Sequence, residues 1–262
     1  MRVLIGIPTL NGPDRLDRAL KSIKTYTDLR EATVLVSDDA STPENLKLNK
    51  DVVHTHGVEM LMSEERLGIA KQWNRLVRHV PDAEICVLLN DDVEVVEDWL
   101  DVLVFSLVKN PSIGTIGLRS EYGMTAAQAV AENRHRPRRD YFDSRIVGDG
   151  TLLWSPGPCF AFRQRDWAEV GGFDERYFMY YVDADFGILL QRKGKISCLA
   201  TYPVIYHLGG ATMTALDPLL AIQQGRECFA IKWGKSFTAF REEFGSKHQT
   251  YIEWNSSWKK WL

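Results

Sequence analysis

Two pairs of adjacent aspartates each follow a short apolar run: Asp38-Asp39 come after TVLVS, and Asp91-Asp92 after EICVLLN. If both runs are strands of one parallel sheet, the two pairs meet at the rim where such sheets form their ligand crevice. Carboxylates gathered there repel one another, and a cation between them removes the repulsion. Oxygen ligands of this kind suit a hard divalent ion. The usual glycine-rich phosphate cradles are missing: no G-x-G-x-x-G follows the first apolar run, and no G-x-x-x-x-G-K-[ST] occurs anywhere. A diphosphate bound at this rim would therefore have its charge met largely by the ion. Aspartates in such places also start loops and cap helices.

The elements that must position these acids follow from hydrophobic pattern. Arg2–Ile7 is a β-rich run ending at Pro8, and Pro13 opens a helix with Leu16, Ala19, Leu20 and Ile23 on one face. Thr33–Ser37 and Ile113–Leu118 are further strands, with helices over Ile69–Val80 and Asp98–Val108. Glu84–Leu89 is nearly continuous in apolar residues, as expected of a strand covered on both faces. This alternation predicts an α/β fold with a mostly parallel central sheet and helices on both faces. Residues 119–150 lack periodicity and are long for a plain connection, which marks them as a functional loop. Regular structure resumes at Pro158–Arg163, with a helix from about Asp183 to Arg192 and a strand-like run at Tyr202–Tyr206. Residues 213–262 read as a helical segment rich in tryptophan.

The chain has 262 residues, 45% apolar and 26% charged, with a net charge of −3. That balance excludes a generally basic coat for nucleic acid, so an anionic partner must meet a local patch. Arg134-His135-Arg136-Pro137-Arg138-Arg139 is the densest such patch: either solvated surface or a seat for an anionic acceptor. No apolar run reaches the ~20 residues that cross a bilayer. MRVLIGIPTLNG passes at once into a strand pattern, unlike a signal peptide. Cys86, Cys159, Cys198 and Cys228 are scattered and read as buried thiols of a reducing compartment. The expectation is a cytoplasmic protein. Trp254, Trp258 and Trp261, with Lys259 and Lys260, form a short helix face that packs on its own domain or a partner subunit, or touches a membrane surface.

Taken in order, I-P-T-L-N (7–11), V-S-D-D-A-S (36–41), G-I-A-K-Q-W-N (68–74) and L-L-N-D-D-V (88–93) resemble the family-two inverting glycosyltransferases of GT-A fold. The resemblance is to rhamnosyltransferase-like members with an L-L-N-x-D metal motif. It continues through G-P-C-F-A-F-R (157–163), V-G-G-F-D-E-R-Y-F (170–178), Y-V-D-A-D-F (181–186) and Y-H-L-G-G-A-T (206–212). It implies a GT-A-like, Rossmann-like domain over residues 1–212, with a nucleotide-binding half (1–118), an acceptor and catalytic half (119–212), and a helical extension (213–262) packed on the same domain. It also implies transfer of a sugar from a UDP- or dTDP-sugar to an acceptor hydroxyl, with Mn²⁺ or Mg²⁺.

Residue by residue, the resemblance places Pro8, Thr9, Asn11, Asp38 and Asp39 at the nucleoside and Lys71 near the diphosphate. Gly68, Asn74, Asn90 and Asp91 match donor-binding positions, Asn90 touching the ribose or a ligand of the metal. Asp92 and His207 would ligate the metal, and Asp183 would act as general base. Asn90 stands where many members have aspartate, which makes the metal site less anionic, and Val182 replaces the first acid of an E-D-x-D motif. The acceptor would be a glycan, a glycolipid or another hydroxyl-bearing molecule, with the protein a homodimer in one reading. Trp154, Phe160 and Phe162 offer an aromatic sugar platform or, alternatively, core packing. Three competing readings are a sugar-1-phosphate nucleotidyltransferase, a catalytically silent sugar- or nucleic-acid-binding module on the same scaffold, and a glycosyltransferase acting on modified nucleic acid.

Overall fold

In the computed structural model, the described residues are 1–30, 32–123, 125–131, 145–147, 155, 157–209, 218–244 and 251–253. The Arg134–Arg139 stretch and Trp154, Trp254, Trp258 and Trp261 lie outside them.

The first half follows the hydrophobic pattern closely. Strand β1 (Val3–Thr9) leads to helix α1 (Pro13–Tyr26), β2 (Ala32–Asp38), α2 (Pro43–His56), β3 (Glu59–Met62), α3 (Ile69–His79) and β4 (Ile85–Leu89). β1 pairs in parallel with both β2 and β4, and β2 in parallel with β3. Alternate residues of β1 face opposite layers: Val3, Ile5 and Ile7 pack with Leu16, Leu20 and Ile23 of α1, while Leu4 packs with Leu76 and Val77 of α3. Burying both faces is what gives β4 its unbroken apolar run.

The second half is mixed. After β5 (Val93–Glu94) and α4 (Trp99–Lys109) come β6 (Ile113–Tyr122), α5 (Ala126–Ala131), β7 (Arg145–Val147), β8 (Cys159–Arg163), α6 (Gln164–Glu169), α7 (Val182–Arg192) and β9 (Ile196–His207). Last are α8 (Pro218–Trp233), α9 (Phe237–Phe244) and β10 (Tyr251–Glu253), so the C-terminal segment is not wholly helical. The sheet order is β3-β2-β1-β4-β8-β6-β9-β10-β7. β8 enters antiparallel between β4 and β6, β6 and β9 run parallel, and β5 pairs with the end of β9, Val93 opposite His207. Phe160 and Phe162 of β8 are 1% and 0% exposed, which resolves them as core packing.

Arg163, at the end of β8, ties the lower edge of the sheet together. It is 7% exposed and donates to the carbonyls of Ile113 (2.6 Å), Asn110 (2.9 Å) and Leu107 and to Asp166 (3.0 Å). Arg163→Met would remove the buried cation from Asp166, leaving it Lys195 at 3.7 Å. It would also take the arginine donor from the carbonyls of Ile113 and Leu107, while Asn110 O keeps the N–H of Ile113 at 3.0 Å. A stability loss of about 3–5 kcal/mol is expected, measured as a lower urea midpoint at unchanged slope.

Candidate functional site

Because β1 lies between β2 and β4 with all three parallel, their carboxyl ends open at one rim. Pro8, Thr9, Asp39, Asn90, Asp91, Asp92, Asp183 and His207 line a single cavity of about 280 Å³ there. Eight of the thirteen expected residues are thus brought together, from strands, a helix start and the end of β9.

The acids do not converge on one shared centre; three of them have separate partners. Asp39 accepts from the backbone N–H groups of Leu67 (2.7 Å) and Gly68 (3.2 Å), from Gln72 Nε2 (2.8 Å) and from Arg66 Nε (3.0 Å). Its backbone N–H donates to Thr9 O at 2.9 Å, fixing it against β1. Asp91 accepts from Thr9 Oγ1 at 2.7 Å and from Arg15 at 3.3 Å. Burial pushes its carboxyl up to about 6, against the pull of Arg15. Asp38 is fully buried and turns away from the cavity, accepting from Ser41 N and Oγ and from Asn49 Nδ2. It shapes the entry into α2.

Asp92 takes a different partner. Its Oδ1 lies 3.1 Å from His207 Nε2, a juxtaposition set by the β5–β9 pairing, while Oδ2 accepts from Gly209 N at 3.1 Å. Both side chains are at most 9% exposed. Two atoms sharing one ion at about 2.1 Å each stand about 3 Å apart, so this carboxylate–imidazole pair suits two adjacent positions around a divalent ion. Among the described residues no group of three or more His, Cys, Asp or Glu side chains is gathered to hold a metal. The remaining ligands of such an ion would be oxygens of substrate and water.

Asp183 lines the same cavity from the first turn of α7, whose N-cap is Tyr181, so the aspartate is not itself the cap. Its Oδ2 accepts from Gly157 N (3.0 Å) and its Oδ1 from Ala184 N (2.9 Å). A Cβ at Gly157 would lie 3.2 Å from Asp183 Oδ2, tight for a side chain. Burial pushes the Asp183 carboxyl up to about 6, opposed by the two backbone donors. A base poised near neutrality suits proton abstraction from a hydroxyl.

Four other expected residues lie off the lining. Lys71 is exposed on α3. Asn74 is buried and organises the chain that follows α6, donating to Phe173 O and Glu175 and accepting from Phe173 N and Trp167 Nε1. Asn11, with φ +50, accepts from Thr42 N and donates to Ser41 Oγ, holding the β1 and β2 turns together. Gly68 serves through its backbone: at φ +78 its N–H reaches Asp39, and a Cβ would fall 2.5 Å from Phe178 O.

Among the described residues the cation in the lining is Arg66, whose buried Nη2 has no hydrogen-bond partner among them. Gln72, Trp73, Met179, Tyr180 and Tyr181 also line the cavity beyond the expected set. The helical spacing of Ile69, Gln72 and Trp73 could have found the α3 face, since residues three and four apart share a side and Lys71 falls off it. Arg66 and Met179–Tyr181 sit in loops, where no periodicity signals direction.

The sequence from residue 4 to 171 matches the family described as "Glycosyl transferase family 2". The N-acetylglucosaminyl-diphospho-decaprenol L-rhamnosyltransferase of Mycobacterium tuberculosis is 26% identical over 248 residues, covering 82% of this chain and 78% of that protein. The O-antigen biosynthesis protein RfbC of Myxococcus xanthus is also 26% identical, across 95% of this chain but only 20% of its own length. The fold is similar to that of GalNAc-T7 crystallised with UDP, GalNAc and Mn²⁺ (TM-score 0.64, 16% identity), covering 79% of this chain and 44% of that one, so this chain spans less than half of GalNAc-T7. It is also similar to the mannosyltransferase PcManGT of Pyrobaculum calidifontis with GDP-Man and Mn²⁺ (TM-score 0.63, 19% identity), covering 92% and 67%. The chain belongs to glycosyl transferase family 2 and is a glycosyltransferase.

Proposed function

We propose that the cavity holds a nucleoside-diphosphate sugar, UDP- or dTDP-linked, and that the enzyme transfers the sugar with inversion to an acceptor hydroxyl. The observation that carries this reading is the single lining shared by Asp39, Asp92, Asp183 and His207. In it, the nucleoside lies over Pro8, Thr9 and Asp39, with Asn90 at the ribose. Arg66, and not the exposed Lys71, supplies a cationic nitrogen to the donor. Asp92 and His207 hold Mn²⁺ or Mg²⁺, which when bound neutralises charge on the diphosphate leaving group. Asp183 takes the proton of the acceptor hydroxyl as its oxygen attacks the anomeric carbon. With base and leaving group on opposite faces of the sugar, one displacement inverts that carbon.

The acceptor is a lipid-linked glycan in this reading, supported by the name of the mycobacterial relative, whose acceptor is a diphospho-decaprenol conjugate. No helix among the described residues is long and apolar enough to cross a membrane. In this reading such an acceptor is met by peripheral contact. The division into a donor half (1–118), an acceptor half (119–212) and an extension (213–262) belongs to the same proposal.

A thermal-shift panel of UDP-, dTDP- and GDP-sugars, with and without Mn²⁺, tests the donor. Stabilisation of about 2.7 kcal/mol is expected at a hundredfold excess over Kd, for one base and only with metal. An unmoved midpoint across the whole panel rejects the assignment.

A further inference from the structure

The family match ends at residue 171, yet the wall carrying Tyr180, Tyr181 and Asp183 is built beyond it. Behind that wall stands α8, no residue of which lines the cavity. Its Gly225 sits directly on the wall: a Cβ there would fall 2.8 Å from Tyr181 Cδ2 and 3.0 Å from Tyr180 O. Tyr181 is the left-handed N-cap of α7, at φ +70, two residues before Asp183. Its ring packs on Phe229 and Phe237 at centroid distances of 6.1 and 4.9 Å, and its hydroxyl accepts from Arg226 at 3.3 Å.

A second grip falls one turn further along α7. Asp185 is 1% exposed and accepts from Lys232 Nζ at 2.7 Å and Trp233 Nε1 at 2.9 Å. Lys232 also reaches Asp174 at 2.9 Å, and the Arg192 guanidinium lies 4.4 Å from the centroid of the Trp233 ring. Residues two apart on a helix point about 200° apart, so α8 holds the back of α7 while Asp183 faces the cavity. A helix that only covered apolar core would bury Phe229 and have no need of an interior glycine, which weakens helices.

We propose that α8 is a brace, with Gly225 and Lys232 as positioning residues that set Asp183 and the Tyr180–Tyr181 lip for transfer. The proposal rests on the reading of Asp183 as the base. Its test compares Gly225→Ala, the charge-balanced pair Lys232→Met with Asp185→Asn, and Asp183→Asn. Nucleoside diphosphate released from dTDP-L-rhamnose with Mn²⁺ is measured, with decyl-diphospho-N-acetylglucosamine as acceptor or with water alone. Donor affinity is followed by calorimetry and folding by circular dichroism.

Gly225→Ala and the Lys232→Met, Asp185→Asn pair are each expected to lower turnover about tenfold or more, with donor affinity held within about a factor of two. Gly225→Ala keeps every charge and favours helix, so it carries the test if the paired variant fails to fold. Amide exchange over residues 179–185 should accelerate in Gly225→Ala whichever donor is used. Unchanged turnover and exchange in Gly225→Ala overturn the brace, as does a lowered melting point with full turnover. An inactive Asp183→Asn beside a fully active Gly225→Ala sinks the brace alone. Full turnover in Asp183→Asn sinks the base assignment first.

Discussion

Asp183→Asn is expected to reduce turnover about 10²–10⁴-fold while leaving donor affinity within about a factor of two. Asparagine keeps the shape, and its one oxygen can keep the bond from either Gly157 N or Ala184 N. Its NH2 then faces the other donor, so circular dichroism and donor affinity check that the α7 start holds. What disappears is a group able to take a proton. In the proposed mechanism the same residue sets the acid limb of the wild-type rate. Its carboxyl is raised to about 6, and only the ionised form is a base, so the rate should climb as pH rises through about 6 and level off above it. In Asp183→Asn that limb should vanish from the residual rate. A variant that retains both full turnover and the limb would remove Asp183 from the chemistry.

Removing either half of the Asp92–His207 pair is the second large effect. Asp92→Ala or His207→Ala should each cost about 10²–10³ in turnover, the scale for losing one group that stabilises developing charge. Chelator treatment of the wild type should have a like effect, reversed by Mn²⁺. The partner left behind distinguishes the cases. In His207→Ala, Asp92 is still held by Gly209 N and should keep weak metal affinity, so excess Mn²⁺ restores part of the rate. In Asp92→Ala the one charged ligand of the pair is gone, and excess Mn²⁺ should restore little. Turnover indifferent to chelator and to both changes would show that the diphosphate charge is met elsewhere, with Arg66 the first group to examine.

The rim of acids was legible because it depends on two plain signals: apolar runs that end in aspartate, and a strand–helix alternation that forces those runs parallel. β1, β2 and β4 obey both, and Asp39 and Asp92 follow from them. His207 and Asp183 came from motif order, and β5–β9 pairing explains the first. What pattern could not supply was side-chain direction. Asp38 and Asp39 are neighbours at a strand end, where successive side chains point opposite ways, so one lines the cavity and the other anchors α2. Lys71 and Arg66 show the same limit: motif position and charge marked the lysine, whereas the lining takes the other face of α3 and, from the loop before it, the arginine. The antiparallel entry of β8 was equally hidden, because it depends on how the chain returns after residue 123 and not on the composition of the strand.

Asn11, Ala40 and Tyr181 are three of the four non-glycine residues with left-handed backbone among the described residues. Asn11 and Ala40 shape the turns after β1 and β2, and Tyr181 the start of α7. Conformations of this kind cost of order 1–3 kcal/mol each and persist only where their surroundings impose them. Selection for robustness alone would relax these corners, and selection for catalysis would keep them bent. Lineages of this protein adapting to heat should therefore acquire their stabilising changes in the outer helices and leave the rim alone.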